Sequence, residues 1–149
     1  MVYIRKPILL LIILCVNKNT ALAKRFSEEF KKGLHLAKDV ERGNTKITST
    51  VDDNYQGLDW EYAPGKDIIK INLNHPLPPK ESTKIFITYK VKLPSDKFTT
   101  YGYDNRGGYY LKDWYLTPAV YDGEWHLYSN KNLEDLYTDM ANTSIELII

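Results

Sequence analysis

One cysteine, two methionines and three histidines are all that the 149-residue chain offers for thiol or soft-metal chemistry. With a single cysteine no intrachain disulfide forms, which excludes the small stapled extracellular scaffolds. That cysteine, Cys15, follows Leu14, and a lipoprotein cysteine needs a small residue there. His35, His75 and His126 stand forty or more residues apart, with neither a His-x-x-x-His pair nor a His-Glu-x-x-His run. Glu124 and His126 share a face of an expected strand, but one carboxylate and one imidazole do not make a metal site. No serine occupies a Gly-x-Ser-x-Gly elbow, and "GYDNRGG" lacks the glycine spacing that cradles phosphate. Charge of one sign is lacking too: 20 Lys and Arg stand against 19 Asp and Glu, interspersed, for a net charge of +1. That excludes the basic stripe of a nucleic-acid binder.

Long apolar runs are scarce. The longest, "PILLLIILCV" (7–16), is too short to span a bilayer comfortably. It follows the basic start "MVYIRK" and precedes the polar "NKNTALA", which ends in Ala21-Leu22-Ala23. That order is the pattern of a secretory signal peptide, with cleavage expected after Ala23. The mature chain would be exported, to the periplasm, the cell surface or beyond, and would hold no cysteine. An uncleaved anchor is the alternative, and the only route by which this sequence meets a membrane.

Residues 24–44 read as a helical lead-in. Phe26, Phe30, Leu34 and Ala37 recur at helical spacing from Ser27, a candidate cap, to about Glu41, with Gly43-Asn44 as the stop. From there the period is two. "TKITSTV" (45–51), "GLDWEY" (57–62) and "KDIIKINL" (66–73) alternate, the last with Ile69, Ile71 and Leu73 on one face. In "STKIFITYKVKL" (82–93), Ile85, Ile87, Tyr89, Val91 and Leu93 share a face, and only Phe86 interrupts the polar one. "NHPLPPKE" (74–81) is a proline-fixed turn. "FTTYGY" and "YYLKDWYL" read as strands about the "DNRGG" loop, residues 132–141 as a short helix, and "TSIELII" (143–149) as a strand. The strand spacing suggests an antiparallel meander with one buried face. Asp52, Asp53, Asp104 and Asp113 read as turn residues, and Asn142-Thr143-Ser144 matches a glycosylation sequon.

The aromatics are concentrated. Eight of nineteen lie between Tyr101 and Trp125. Tyr and Trp carry large apolar bodies with polar tips, which suits a second core layer, a face covered on assembly, or a ligand-stacking platform.

The stretch from "DIIKINLNHPLPPKESTKIFITYKVKLPSDKFTTYGYDNRGGYYLKDWYLTPAVYDGEWHLYSNKNLEDLY" to "TSIELII" resembles the N-terminal β domain of bacterial aminopeptidase N-type zinc metallopeptidases. The shared features are the proline-containing turn, "I.I.Y.VKLP", a Gly-Tyr turn and "LK.WY..PA.Y..W". The resemblance covers residues 48 to 149. It implies a mostly β fold, an antiparallel saddle-like or sandwich sheet with a short N-terminal helix after the signal peptide. Residues 45–149 would be that domain, incomplete, packing on a catalytic domain that this chain does not contain. The family's zinc and substrate motifs lie downstream of the matched region. No catalytic or metal residue carries over, no cofactor is expected in this chain, and zinc belongs to the parent family. The expected interface residues are Trp114, Tyr115, Tyr121 and Trp125. The alternative is a stand-alone exported β-sandwich binding module with Tyr109, Tyr110, Trp114 and Trp125 as a stacking surface.

Overall fold

The computed structural model describes residues 8–12, 18–64, 67–78, 80–112, 114–127, 137 and 139–146. The protein is mostly β, with antiparallel sheets and little helix. Its longest ladder joins β2 (Asn44–Asp52) to β5 (Ile85–Lys92). Along β5, Ile85, Ile87, Tyr89 and Val91 are half-buried and their alternates exposed, as the period of two predicts. On β2 the alternation changes phase. Thr45 and Ile47 point inward, and then Thr50 does, because a bulge between Ile47 and Ser49 inserts Thr48. The Thr48 hydroxyl donates to the Thr88 carbonyl at 2.9 Å, which holds the bulge in place. Phe86, the apolar residue on the polar face, stacks on Tyr55 with ring centroids 5.6 Å apart and planes within 6°.

A four-stranded sheet lies beside this ribbon. β1 (Ile8–Ile12), β3 (Trp60–Tyr62), β4 (Ile68–Asn72) and β8 (Thr117–Pro118) are ordered β3-β4-β1-β8. The expected meander is therefore interrupted, because the earliest strand sits between β4 and β8. Ile69 and Ile71 are fully buried and cluster with Ile47 and Leu58, while Ile85, Ile87, Tyr89, Trp60 and Tyr62 pack around them. Burying an isoleucine contributes about 1.5–3 kcal/mol, so this layer is the core. Ile68 points the other way and is buried as well, with Ala119, Ile8, Ala63 and Trp125. β4 is thus covered along one face and at Ile68 on the other, where Lys70 and Asn72 reach toward solvent.

The helical region departs from its periodicity. α1 spans Ala21–Glu28, α2 spans Gly33–Leu36, and a 3₁₀ turn follows at Asp39–Glu41. Thr20, not Ser27, caps α1, accepting from the Ala23 N–H at 3.2 Å. Leu22, Ala23, Phe26 and Leu34 form a small second cluster against Phe98. Phe30, expected on that face, is 86% exposed. The helix has already ended: Phe30 N–H bonds to the Ser27 carbonyl and Lys31 N–H to the Phe26 carbonyl, with Phe30 at φ 58°. That is a Schellman closure with phenylalanine where glycine is favoured. The run expected as the core of a leader, residues 7–16, contains β1, and the Ala-Leu-Ala triplet is the first turn of α1.

Shorter pairs complete the fold: β6 (Gly102–Tyr103) with β7 (Tyr109–Tyr110), and β9 (Val120–Tyr121) with β10 (Trp125–His126). The strands expected over "FTTYGY" and "YYLKDWYL" shrink to β6 and β7, since residues 96–99 form turns and the ladder comprises the pairs Gly102↔Tyr110 and Tyr103↔Tyr109. Most of the helix expected at 132–141 lies outside the described residues, and 139–141 are in no helix. Of the expected strand 143–149, residues 143–146 are exposed and unpaired as strand, and 147–149 lie outside the described residues.

Phe30→Gly should raise stability by up to about 1 kcal/mol, because it removes the left-handed strain of a side chain that packs little. Phe30→Ala keeps that strain and should give no gain. Chemical denaturation of the two variants checks the contrast.

Candidate interaction face

The aromatic stretch is built from two tight hairpins and the segment between them. In the first, the Asp104 carboxylate accepts from Arg106 N–H at 2.8 Å and Gly108 N–H at 2.7 Å, and Asp104 N–H closes the turn on the Gly108 carbonyl. This is the turn role expected of it. Gly102 seats the hairpin. At φ 138° it lies so close to the buried Pro94 that a Cβ would fall 2.0 Å from the Pro94 carbonyl oxygen. Tyr103 N–H then donates to that carbonyl at 2.9 Å. The rings this hairpin carries face outward: Tyr109 is 66% and Tyr110 55% exposed.

The second hairpin turns through Asp122-Gly123-Glu124, with Gly123 at φ 123°. Tyr121 and Trp125 are direct cross-strand partners, with ring centroids 5.1 Å apart. His126 pairs with Asp122 (Nε2 to Oδ1, 2.7 Å), not with Glu124, and its ring lies 4.8 Å from that of Tyr137. The four-residue spacing spans the hairpin turn and brings Asp122 back to His126.

The four expected interface residues come together two by two. Tyr121 and Trp125 belong to the hairpin, and Trp125 is anchored on Ile68 and Ala119. Trp114 and Tyr115 form a separate edge-to-face pair, centroids 5.9 Å apart and planes at 87°. All four are half-buried. The stacking set of the alternative reading is divided likewise. Tyr109 and Tyr110 are on the outer hairpin, whereas Trp125 is turned onto the sheet and lines an apolar hollow of about 390 Å³ with Ile8, Leu73, Leu77 and Ile85. Periodicity did not reveal that hollow, because the proline-rich turn and β1 build its other walls.

A second, polar cavity of about 350 Å³ lies at the turn after β2, beside Asp52, Asn54, Gln56, Asn74 and His75. Asp52 Oδ1 accepts from the Asn54 and Gln56 N–H groups at 3.0 and 2.9 Å, and Oδ2 from the Asn74 amide at 3.0 Å. These bonds, Gln56 foremost, with the nearby His75 charge, hold the Asp52 carboxyl below the ordinary carboxylate range. A carboxylate so occupied ties two turns together and is a poor proton acceptor. Asp53 and Asn54 lie in the same turn, and Asp113 lies outside the described residues. Among the described residues no three His, Cys, Asp or Glu side chains are grouped to hold a metal ion, and no helix is long and apolar enough to cross a membrane.

Two outcomes follow from this geometry. Because the folded pKa of Asp52 is depressed, its contribution is complete above about pH 4 and is lost as pH falls through the folded value. Asp52→Asn should therefore lower stability at neutral pH and flatten its acid dependence; unfolding curves between about pH 2 and pH 7 with the wild-type slope would contradict the clamp. Trp125→Ala should cost roughly 2–3 kcal/mol, whereas Trp114→Ser with Tyr115→Ser should cost no more than about 1 kcal/mol. Thermal melts separate Trp125, packed on Ile68 and Ala119, from the Trp114–Tyr115 pair.

Comparison with known protein families, curated proteins and solved structures finds no match.

Proposed function

We propose that the chain is a non-catalytic β module that docks on a partner protein domain through the aromatic residues between Tyr109 and Trp125. The resemblance in "LKDWYLTPAVYDGEW" gives the partner its class: the catalytic domain of an aminopeptidase N-type zinc metallopeptidase. On this reading the module helps enclose an active site whose zinc and water belong to the partner. The observation that carries the proposal is the incomplete burial of the stretch. Trp114 and Tyr115 are packed on each other and stay half-covered, and the sequence just before them carries Leu111, which is 44% exposed, and the exposed Tyr109 and Tyr110. Rings with polar tips tolerate water when alone and exclude it when covered. An exposed apolar patch above a few hundred Å² usually marks an interaction site. A partner covering about 400 Å² of it would gain roughly 10 kcal/mol gross, much of which ordering and docking offset.

The isolated chain should therefore self-associate and bind a hydrophobic dye. Replacing Trp114 and Tyr115 by serine should reduce both while the fold persists. Solution mass and dye fluorescence are the measurements. A monodisperse wild-type monomer that binds no dye would contradict docking, and saturable binding of a sugar polymer lost on Tyr109→Ala and Tyr110→Ala would favour the stacking surface.

A further inference from the structure

We infer that residues 8–23 stay in the working protein as the element that fixes the aromatic face to the sheet. The sequence order of this segment resembles a leader, but the fold uses it as an inner strand and a helix start. β1 pairs with β4 along its whole length, from Ile8↔Asn72 to Ile12↔Ile68. Its other edge pairs with β8, through Leu11↔Pro118 and Ile12↔Thr117. Among the described residues β1 is the only strand that β8 pairs with. β8 lies between the Trp114–Tyr115 pair and the β9–β10 hairpin, so β1 is the ladder connection between the aromatic stretch and the core sheet. The Ile8 side chain strengthens the connection: it packs with Ile68 and Ala119, and shares the wall of the apolar hollow with Trp125.

The bond after Ala23 is correspondingly guarded. Leu22 and Ala23 are 2% and 0% exposed. Lys24 N–H donates to the Thr20 carbonyl at 3.1 Å, and the His35 ring donates from Nε2 to the Ala23 carbonyl at 3.0 Å. A peptidase needs its substrate extended and accessible, and this bond is helical and covered. A cut there would remove β1 and the cap of α1 together. It would turn β4 into an edge strand and leave β8 without a ladder partner. Retention of the segment stands on the pairing alone; its consequence for docking rests on the reading proposed above.

Hydrogen exchange on the full chain tests the strand directly. Amides of residues 8–12 should exchange at least about 100-fold more slowly than in an unstructured peptide, with protection like that of residues 68–72. Intact mass of the chain recovered from its own cells should include residues 8–23. Free-chain exchange at 8–12 beside a protected β4, or a native chain beginning at Lys24 with β4 still protected, would overturn the inference. Neither measurement needs a partner. Protected 8–12 amides with dye binding unchanged by the Trp114 and Tyr115 replacements would sink docking alone and leave the strand in place.

Discussion

Burial of β4 along its Ile69–Ile71 face, and at Ile68 on the other, is the constraint from which the rest of the structure follows. Ile69 and Ile71 face the β2–β5 ribbon and make the core; Ile68 faces the opposite way and receives Ala119 and Trp125. The Ile69–Ile71 face needs one covering along its length, and Ile68, alone on the other face with Lys70 and Asn72 beyond it, needs a local second one. The alternation along β5 supplies one, and the hairpin after Ala119 supplies the other. The edges of β4 are occupied as well, by β3 and β1. The cost of leaving its backbone groups unpaired is thereby avoided.

That double covering explains why the aromatics divide into two kinds. Trp125 and Tyr121 are held by the sheet, so their rings serve packing first. Trp114 and Tyr115 satisfy each other edge to face, and the outer hairpin carries Tyr109 and Tyr110 away from the core. The turns that set these directions use short-range chemistry. Asp104 and Asp52 accept backbone N–H groups, Gly123 adopts a conformation costly to other residues, and Gly102 leaves room for Pro94. Among the described residues, the acidic side chains at 52 and 104 are occupied in holding loops. The aromatic surface is left as the feature that fits an interaction role.

Much of the fold was legible because a period of two is a strong local signal. Alternation gives the Ile69–Ile71 face of β4 and the inward face of β5, but not the burial of Ile68, and the acidic residues at 52 and 104 read as turn formers. Three things were not legible. The bulge at Thr48 depends on a cross-strand register that alternation in one strand does not specify. The end of α1 at Phe30 reverses a regular apolar spacing, because backbone closure after Glu29 overrides it. The placement of β1 depends on partners distant in sequence, from Ile8↔Asn72 to Ile12↔Ile68 on one edge and Leu11↔Pro118 and Ile12↔Thr117 on the other. The apolar run reads as the core of a leader or as an anchor, and nothing in its own composition specifies the ladders it makes with β4 and β8. For the candidate site, composition located the stretch, but which rings face inward was decided by Ile68 and the hollow beside it.

Trp125, Ile68 and Ile8 meet on the second face of the sheet. Nuclear Overhauser contacts between the Trp125 indole and the methyl groups of Ile68 and Ile8, in the full chain, measure this most directly. Indole contacts to Ile68 and methyl contacts between Ile8 and Ile68 are expected, together with backbone contacts between Leu10 and Lys70 across the β1–β4 ladder. An indole that contacts neither isoleucine, with Leu10 showing sequential contacts alone, would contradict this packing.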